Sequence, residues 1–103
     1  RAPAIAAPVA ERLGAEIVEM GSAGVKAMAV VLGEADIYLH AGGMYEWDSC
    51  APVAVALHCG LHASRLDGTS LRYNNAETYM PDLLICRAEL AATALDAIAS
   101  VGD

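Results

Sequence analysis

Ala35-Asp36-Ile37-Tyr38-Leu39-His40-Ala41-Gly42-Gly43-Met44-Tyr45-Glu46-Trp47-Asp48-Ser49-Cys50-Ala51-Pro52 passes from a strand pattern through glycines into a helix pattern, the succession that marks an α/β chain. Asp36 to His40 reads as a strand, Ala41 to Met44 as a glycine-bearing loop, and Trp47 onward as a helix running to about Gly60. Pro52 is expected in the first turn of that helix or close behind it, where a missing N–H matters least. Upstream, Ala4 to Leu13 reads as a helix ended by Gly14, because glycine accepts the left-handed cap. Ala15 to Met20, with β-branched Ile17 and Val18, reads as a short strand. Val25 to Leu32 reads as a buried helix that stops at Gly33.

Downstream, His62 to Leu66 and Ser70 to Tyr73 around an Asp67-Gly68 turn read as a hairpin. Leu83-Leu84-Ile85-Cys86 is a fully apolar run suited to a central strand, and Ala88 to about Val101 reads as the closing helix. Alternating strands and helices predict an α/β fold with a mixed, largely parallel sheet flanked by helices.

The 103 residues suit one domain with one core. Their 56% hydrophobic content and mean hydropathy of +0.41 exceed the roughly 45–50% apolar content of soluble domains. Some apolar surface is therefore expected to meet another domain or subunit. No apolar run reaches the roughly 18 residues of a membrane span, and the opening residues do not read as a secretory leader. Three cysteines without CxxC spacing argue against a disulfide framework or a zinc site and fit a reducing cytoplasm. A net charge of −7 with six Lys and Arg disfavours nucleic-acid and anionic-membrane partners. A phosphorylated substrate would need divalent cations to bridge it to so acidic a chain.

Glu46-Trp47-Asp48-Ser49 places two carboxylates at a helix start. Asp48 there either caps the helix through backbone N–H bonds or projects into a cleft as a hard oxygen ligand for Mg²⁺, and the stretch alone leaves both open. Gly21-Ser22-Ala23-Gly24 before a helix can be a plain turn or a phosphate or hydroxyl site at a helix N-terminus. Lys26, one turn on, can reach a phosphate or stay solvated. His40 ends a strand where open α/β sheets bind ligands. His58 and His62 have no evident partner and read as surface or satisfied histidines. Arg65, Arg72 and Arg87 are equally readable as phosphate contacts and as surface charges, and no Ser/His/Asp nucleophile set can be argued.

Taken together, Gly21-Ser22-Ala23-Gly24-Val25-Lys26-Ala27-Met28, Ala35-Asp36-Ile37-Tyr38-Leu39-His40 and Glu46-Trp47-Asp48-Ser49-Cys50-Ala51-Pro52 resemble the C-terminal signature of the inositol monophosphatase superfamily. The hairpin Ala63-Ser64-Arg65-Leu66-Asp67-Gly68 adds to the likeness, which spans roughly residues 15–100. Within the superfamily, Tyr38-Leu39-His40, Leu71-Arg72-Tyr73-Asn74 and Pro81-Asp82-Leu83-Leu84 resemble the 3′(2′),5′-bisphosphate nucleotidase branch.

The resemblance implies the C-terminal lobe of a sugar-phosphatase-type fold and a Mg²⁺-dependent phosphomonoesterase acting on 3′-phosphoadenosine 5′-phosphate in sulfur assimilation. It also implies a metal-ligand role for Asp48 and substrate contacts from Ser22, the Ala23 backbone, Lys26, His40 and Glu46. Inositol-1-phosphate or fructose-1,6-bisphosphate phosphatases share these blocks, and a non-catalytic binding domain could keep the same fold.

Two positions depart from the family pattern: Cys50 stands where Ala is preferred, and His40 where several nucleotidases carry Arg. The family's Asp-Pro-Ile/Leu-Asp-Gly-Thr motif and its upstream Glu belong to an N-terminal metal-binding lobe that these residues do not include. The polypeptide alone is accordingly expected to be inactive, with no catalytic residue assigned in it. The missing lobe and a homodimer mate are the protein partners that the resemblance allows.

Overall fold

The computed structural model describes residues 5–16, 23–71 and 79–102, with backbone alone at 23–25, 41–49, 79–81 and 102. Four α-helices, α1 (Ala6–Leu13), α2 (Ala23–Val31), α3 (Glu46–His58) and α4 (Ala91–Gly102), surround three strands, β1 (Ile37–Tyr45), β2 (His62–Ser64) and β3 (Tyr79–Cys86). A short 3₁₀ turn, Ala88–Leu90, leads into α4.

Glycine ends the first two helices as the sequence requires. Gly14 at φ +67° donates its N–H to Ala10 and Glu11 carbonyls beyond α1, and Gly33 at φ +78° donates to the Val30 carbonyl after α2.

The α/β class stands, but the described sheet is antiparallel rather than largely parallel, with order β1-β3-β2. The reason is topological. Because β1 and β2 each run antiparallel to β3, they are parallel to one another, joined by the α3 crossover with a slot left between them. The last strand fills that slot. Helix and strand alternation therefore identifies the crossover correctly and misses the strand that later divides it.

The apolar run at the end of β3 reflects burial on both faces. Leu83 and Ile85 join Ala27, Val30, Tyr38, Val53 and Ala56 beneath α2 and α3, whereas Leu84 and Cys86 join Val9, Ala94, Ala97 and Ile98 beneath α1 and α4. Alternation along the strand sends successive side chains to opposite layers. The surplus apolar surface expected from composition lies on α2, the residue just after it and α3, where Met28, Leu32, Val55 and Leu57 are exposed.

Two local expectations change. β1 continues through Ala41 to Met44 instead of ending at His40, with its register broken between Ala41 and Met44. The partner residues there skip from Asp82 to Met80, which leaves Gly42 and Gly43 opposite Pro81. A proline cannot donate to the ladder, and glycines absorb the bulge that results. Pro52 lies in the second turn of α3, close behind the first as expected; its ring removes the amide that would bond the carbonyl of residue 48.

The 62–66 hairpin strand is only His62–Ser64, and it pairs with β3, not with Ser70 and Leu71, which form no strand. The turn itself is as expected: Gly68 has φ +87°, and Asp67 Oδ1 accepts the Thr69 N–H at 2.9 Å and its hydroxyl at 2.6 Å. Asp82 Oδ1 braces this corner, accepting from Arg65 Nε at 2.7 Å and from the Leu66 N–H at 3.0 Å. The expected strand at 15–20 and the end of the return strand at Arg72 and Tyr73 lie outside the described residues, except Ala15 and Glu16, which form no strand.

Burial separates the cysteines. Cys86 is fully buried between β1 and β2, and desolvation, with a smaller contribution from the Glu89 charge, pushes its thiol up to about 11. Cys50 and Cys59 are exposed. Ellman's reagent at pH 8 is expected to titrate two thiols rapidly and the third only on unfolding; three fast thiols would contradict the burial of Cys86. The sign of the linkage follows: a neutral buried thiol adds full stability below about pH 9, and this contribution is lost as pH rises toward 11. No helix among the described residues is long and apolar enough to cross a membrane.

Candidate functional site

α3 begins immediately after β1, so its first turn, carrying Glu46 and Asp48, stands at the carboxyl end of that strand. α2 reaches β1 through the tight 32–36 connection, where the Glu34 and Ala35 N–H groups both donate to the Ala29 carbonyl, at 2.8 and 3.1 Å. Such a short link reverses the chain, so α2 packs back along β1 and α3 and its first turn faces the same end. Open α/β sheets place ligands at this end because loops and helix N-termini converge there.

Among the expected site residues, Lys26 and His40 come together around Tyr38. The Lys26 ammonium lies 5.7 Å from the centre of the Tyr38 ring. The His40 ring meets the same phenol edge-on, with centroids 6.4 Å apart and planes at 69°. Tyr38 and His40 are two residues apart on β1 and so share the face toward α2 and α3. Lys26 and His40 are half-buried, whereas Tyr38 is 6% exposed. The Tyr38 hydroxyl is buried with no hydrogen-bond partner among the described residues, and desolvation raises its pKa above the usual tyrosine value. In the sequence Tyr38 counts only within the blocks that carry the family resemblance and has no place in the site; its signal was an aromatic residue two positions before His40 on the same strand face.

Ser22 and the side chains of Ala23, Glu46 and Asp48 lie outside the described residues. Cap and cation ligand thus remain the two readings of Asp48. His62 is satisfied within its own strand, its Nε2 2.7 Å from Ser64 Oγ, which donates to the Arg65 carbonyl at 2.8 Å.

Two of the three arginines are engaged structurally. Arg65 pairs with Asp82 at 2.7 Å, while exposed Arg87 spans Asp36 at 3.0 Å and Glu89 at 2.7 Å. Arg72 falls outside the described residues. Exposed pairs of the Arg87 kind are screened by water and contribute little.

Among the described residues no three His, Cys, Asp or Glu side chains gather into a metal site. The donor chemistry at the start of α3 nevertheless suits a hard cation, since Mg²⁺ takes one or two carboxylates and completes its shell with water and substrate phosphate. Asp48, with Glu46 beside it, is the group that would hold such an ion.

A sequence model described as the inositol monophosphatase family matches residues 3–101. The chain belongs to that family. Over 99 residues it is 57% identical to a protein of Mycobacterium bovis named 3′-phosphoadenosine 5′-phosphate phosphatase, covering 96% of this chain and 37% of that one. The protein of the same name from Mycobacterium leprae is 52% identical over 101 residues, which cover 98% of this chain and 37% of that one. The chain thus spans little more than a third of the length of these relatives.

Among solved structures, the Thermotoga maritima IMPase superposes with a TM-score of 0.77 at 16% identity, covering 94% of this chain and 37% of that one. Staphylococcal IMPase-II bound to 2′AMP gives 0.59 at 18% identity, covering 80% and 33%. At such identities the likeness establishes the inositol monophosphatase fold. Family members are generally Mg²⁺-dependent.

Proposed function

We propose that the chain is the C-terminal lobe of a Mg²⁺-dependent phosphomonoesterase that converts 3′-phosphoadenosine 5′-phosphate to AMP and phosphate. The observation that carries this reading is the 52–57% identity, along nearly the whole chain, to mycobacterial proteins named for that activity. The convergence of α2, α3 and the end of β1 supports it, because phosphate recognition needs cationic groups and free N–H donors on one side of the substrate.

In this reading Ser22 and the Ala23 backbone, at the start of α2, offer donors to phosphate oxygens. Lys26 contributes a fixed positive charge. His40, beside Tyr38 on the same face of β1, offers a ring N–H to the same phosphate. The Asp48 carboxylate holds the cation and Glu46 borders the pocket. When bound, Mg²⁺ supplies Lewis acidity toward a phosphoryl oxygen and lowers the pKa of the attacking water. Further metal ligands would come from the rest of a longer protein, so the 103-residue polypeptide alone is expected to release no phosphate.

A second reading draws on the fold. Staphylococcal IMPase-II has been solved with inositol monophosphate as well as with 2′AMP, so an inositol-1-phosphate phosphatase is the principal competitor, with a fructose-1,6-bisphosphatase behind it. Phosphate release by the full-length protein with Mg²⁺ is to be compared on the three substrates. A kcat/KM for 3′-phosphoadenosine 5′-phosphate at least tenfold above the others is expected; preference for either sugar phosphate would transfer the assignment.

A further inference from the structure

Among the described residues Tyr38 contacts both cationic candidates of the site, and neither the family pattern nor the proposed reaction assigns it a task. Its ring is clamped among Ala27, Val30, Val53, Ala56 and Ile85, so it cannot follow its neighbours if they move. The Lys26 ammonium lies within the roughly 6 Å over which a cation is attracted to an aromatic face. The His40 edge contact falls within the roughly 4.5–7 Å range of T-shaped pairs. A lysine on a free four-carbon stem samples many rotamers, and each one lost on binding weakens the ligand's hold. A fixed ring that selects one lysine direction removes part of that loss beforehand.

We propose that Tyr38 is a positioning residue whose buried ring holds Lys26 beside His40, so that both meet the same phosphate of a nucleotide ligand. The ring is what matters in this arrangement. The hydroxyl is a separate feature, buried without an acceptor among the described residues, and stranded hydroxyls destabilise a fold. Tyr38→Phe keeps the ring and discards the hydroxyl, whereas Tyr38→Leu discards the ring.

The inference rests on the phosphatase reading for the identity of its ligand, and the test separates the two. Binding of the product AMP with Mg²⁺ is measured by calorimetry on the full-length protein, below the melting temperature of every variant. Tyr38→Leu is expected to weaken AMP binding about two- to fivefold, the factor corresponding to a cation–π contact. Tyr38→Phe should restore wild-type affinity with a raised Tm. In a Lys26→Met background, Tyr38→Leu should weaken binding no further, because the contact it removes is already gone.

Additive losses, or a Phe variant as weak as the Leu variant, would overturn the positioning role. If AMP binds with the expected coupling but no phosphate ester is turned over, only the phosphatase reading falls. If the wild-type protein does not bind AMP, both fall.

Discussion

Exchanging Asp48 for Asn in the full-length protein is expected to lower kcat/KM for phosphate release by about a thousandfold while leaving Tm within a degree or two. The magnitude follows from charge: a bound divalent ion is worth several kcal/mol in the transition state, and each ~1.4 kcal/mol is a factor of ten in rate. The substitution is chosen because it separates the two readings of this residue. Asparagine caps a helix about as well as aspartate. A residue that only finishes α3 would therefore tolerate the change, whereas a cation ligand would lose the charge that binds the ion. Raising Mg²⁺ in the assay should recover part of the lost rate, since weaker binding is offset by mass action. Wild-type kinetics in the Asn variant would return Asp48 to the role of a cap and remove the cation from the start of α3.

What could be read from the chain differs between its local and its long-range features. Gly14, Gly33 and Gly68 announced their turns because positive φ is a local demand that few other residues meet. Leu83 to Cys86 announced a central strand because burial on both faces leaves no polar position in the alternation. The pairing of β3 was not legible. Nothing near residues 79–86 records that His40 will face Leu83 or that His62 will face Cys86, because those partners are set by how the α3 crossover leaves its gap. Nor did Ala41-Gly42-Gly43-Met44 reveal itself as strand, since its bulge depends on Pro81 across the sheet.

The same division runs through the site. Lys26 and His40 were visible as chemistry in the sequence. Their shared contact, Tyr38, became visible only once α2 was packed against β1. Arg65 gave the opposite result: a residue that could have met phosphate instead pairs with Asp82, far along the chain, and secures the turn at Asp67-Gly68.

Leu84→Ala is expected to produce the largest loss of stability, about 2–5 kcal/mol, the cost of a cavity left by a leucine with no exposed surface. Leu84 lies on the middle strand, its Cα opposite both Leu39 of β1 and Ser64 of β2, and its side chain enters the layer formed by Val9, Ala94, Ala97 and Ile98. All four neighbours lie on α1 and α4, at opposite ends of the chain, and two are alanines too short to fill the gap, so collapse around the truncated side chain is limited. In a lobe of this size each kcal/mol corresponds to roughly 4–8 °C, and a fall in Tm on the order of 10–30 °C should follow in thermal melts monitored by circular dichroism.

Leu32→Ala provides the contrast, because Leu32 is 65% exposed and should change Tm little when the chain is studied alone. The comparison tests the layer arrangement itself. If Leu84→Ala melted within a few degrees of wild type, β3 could not be covered on its α1 and α4 face, and the two-sided core would have to be redrawn.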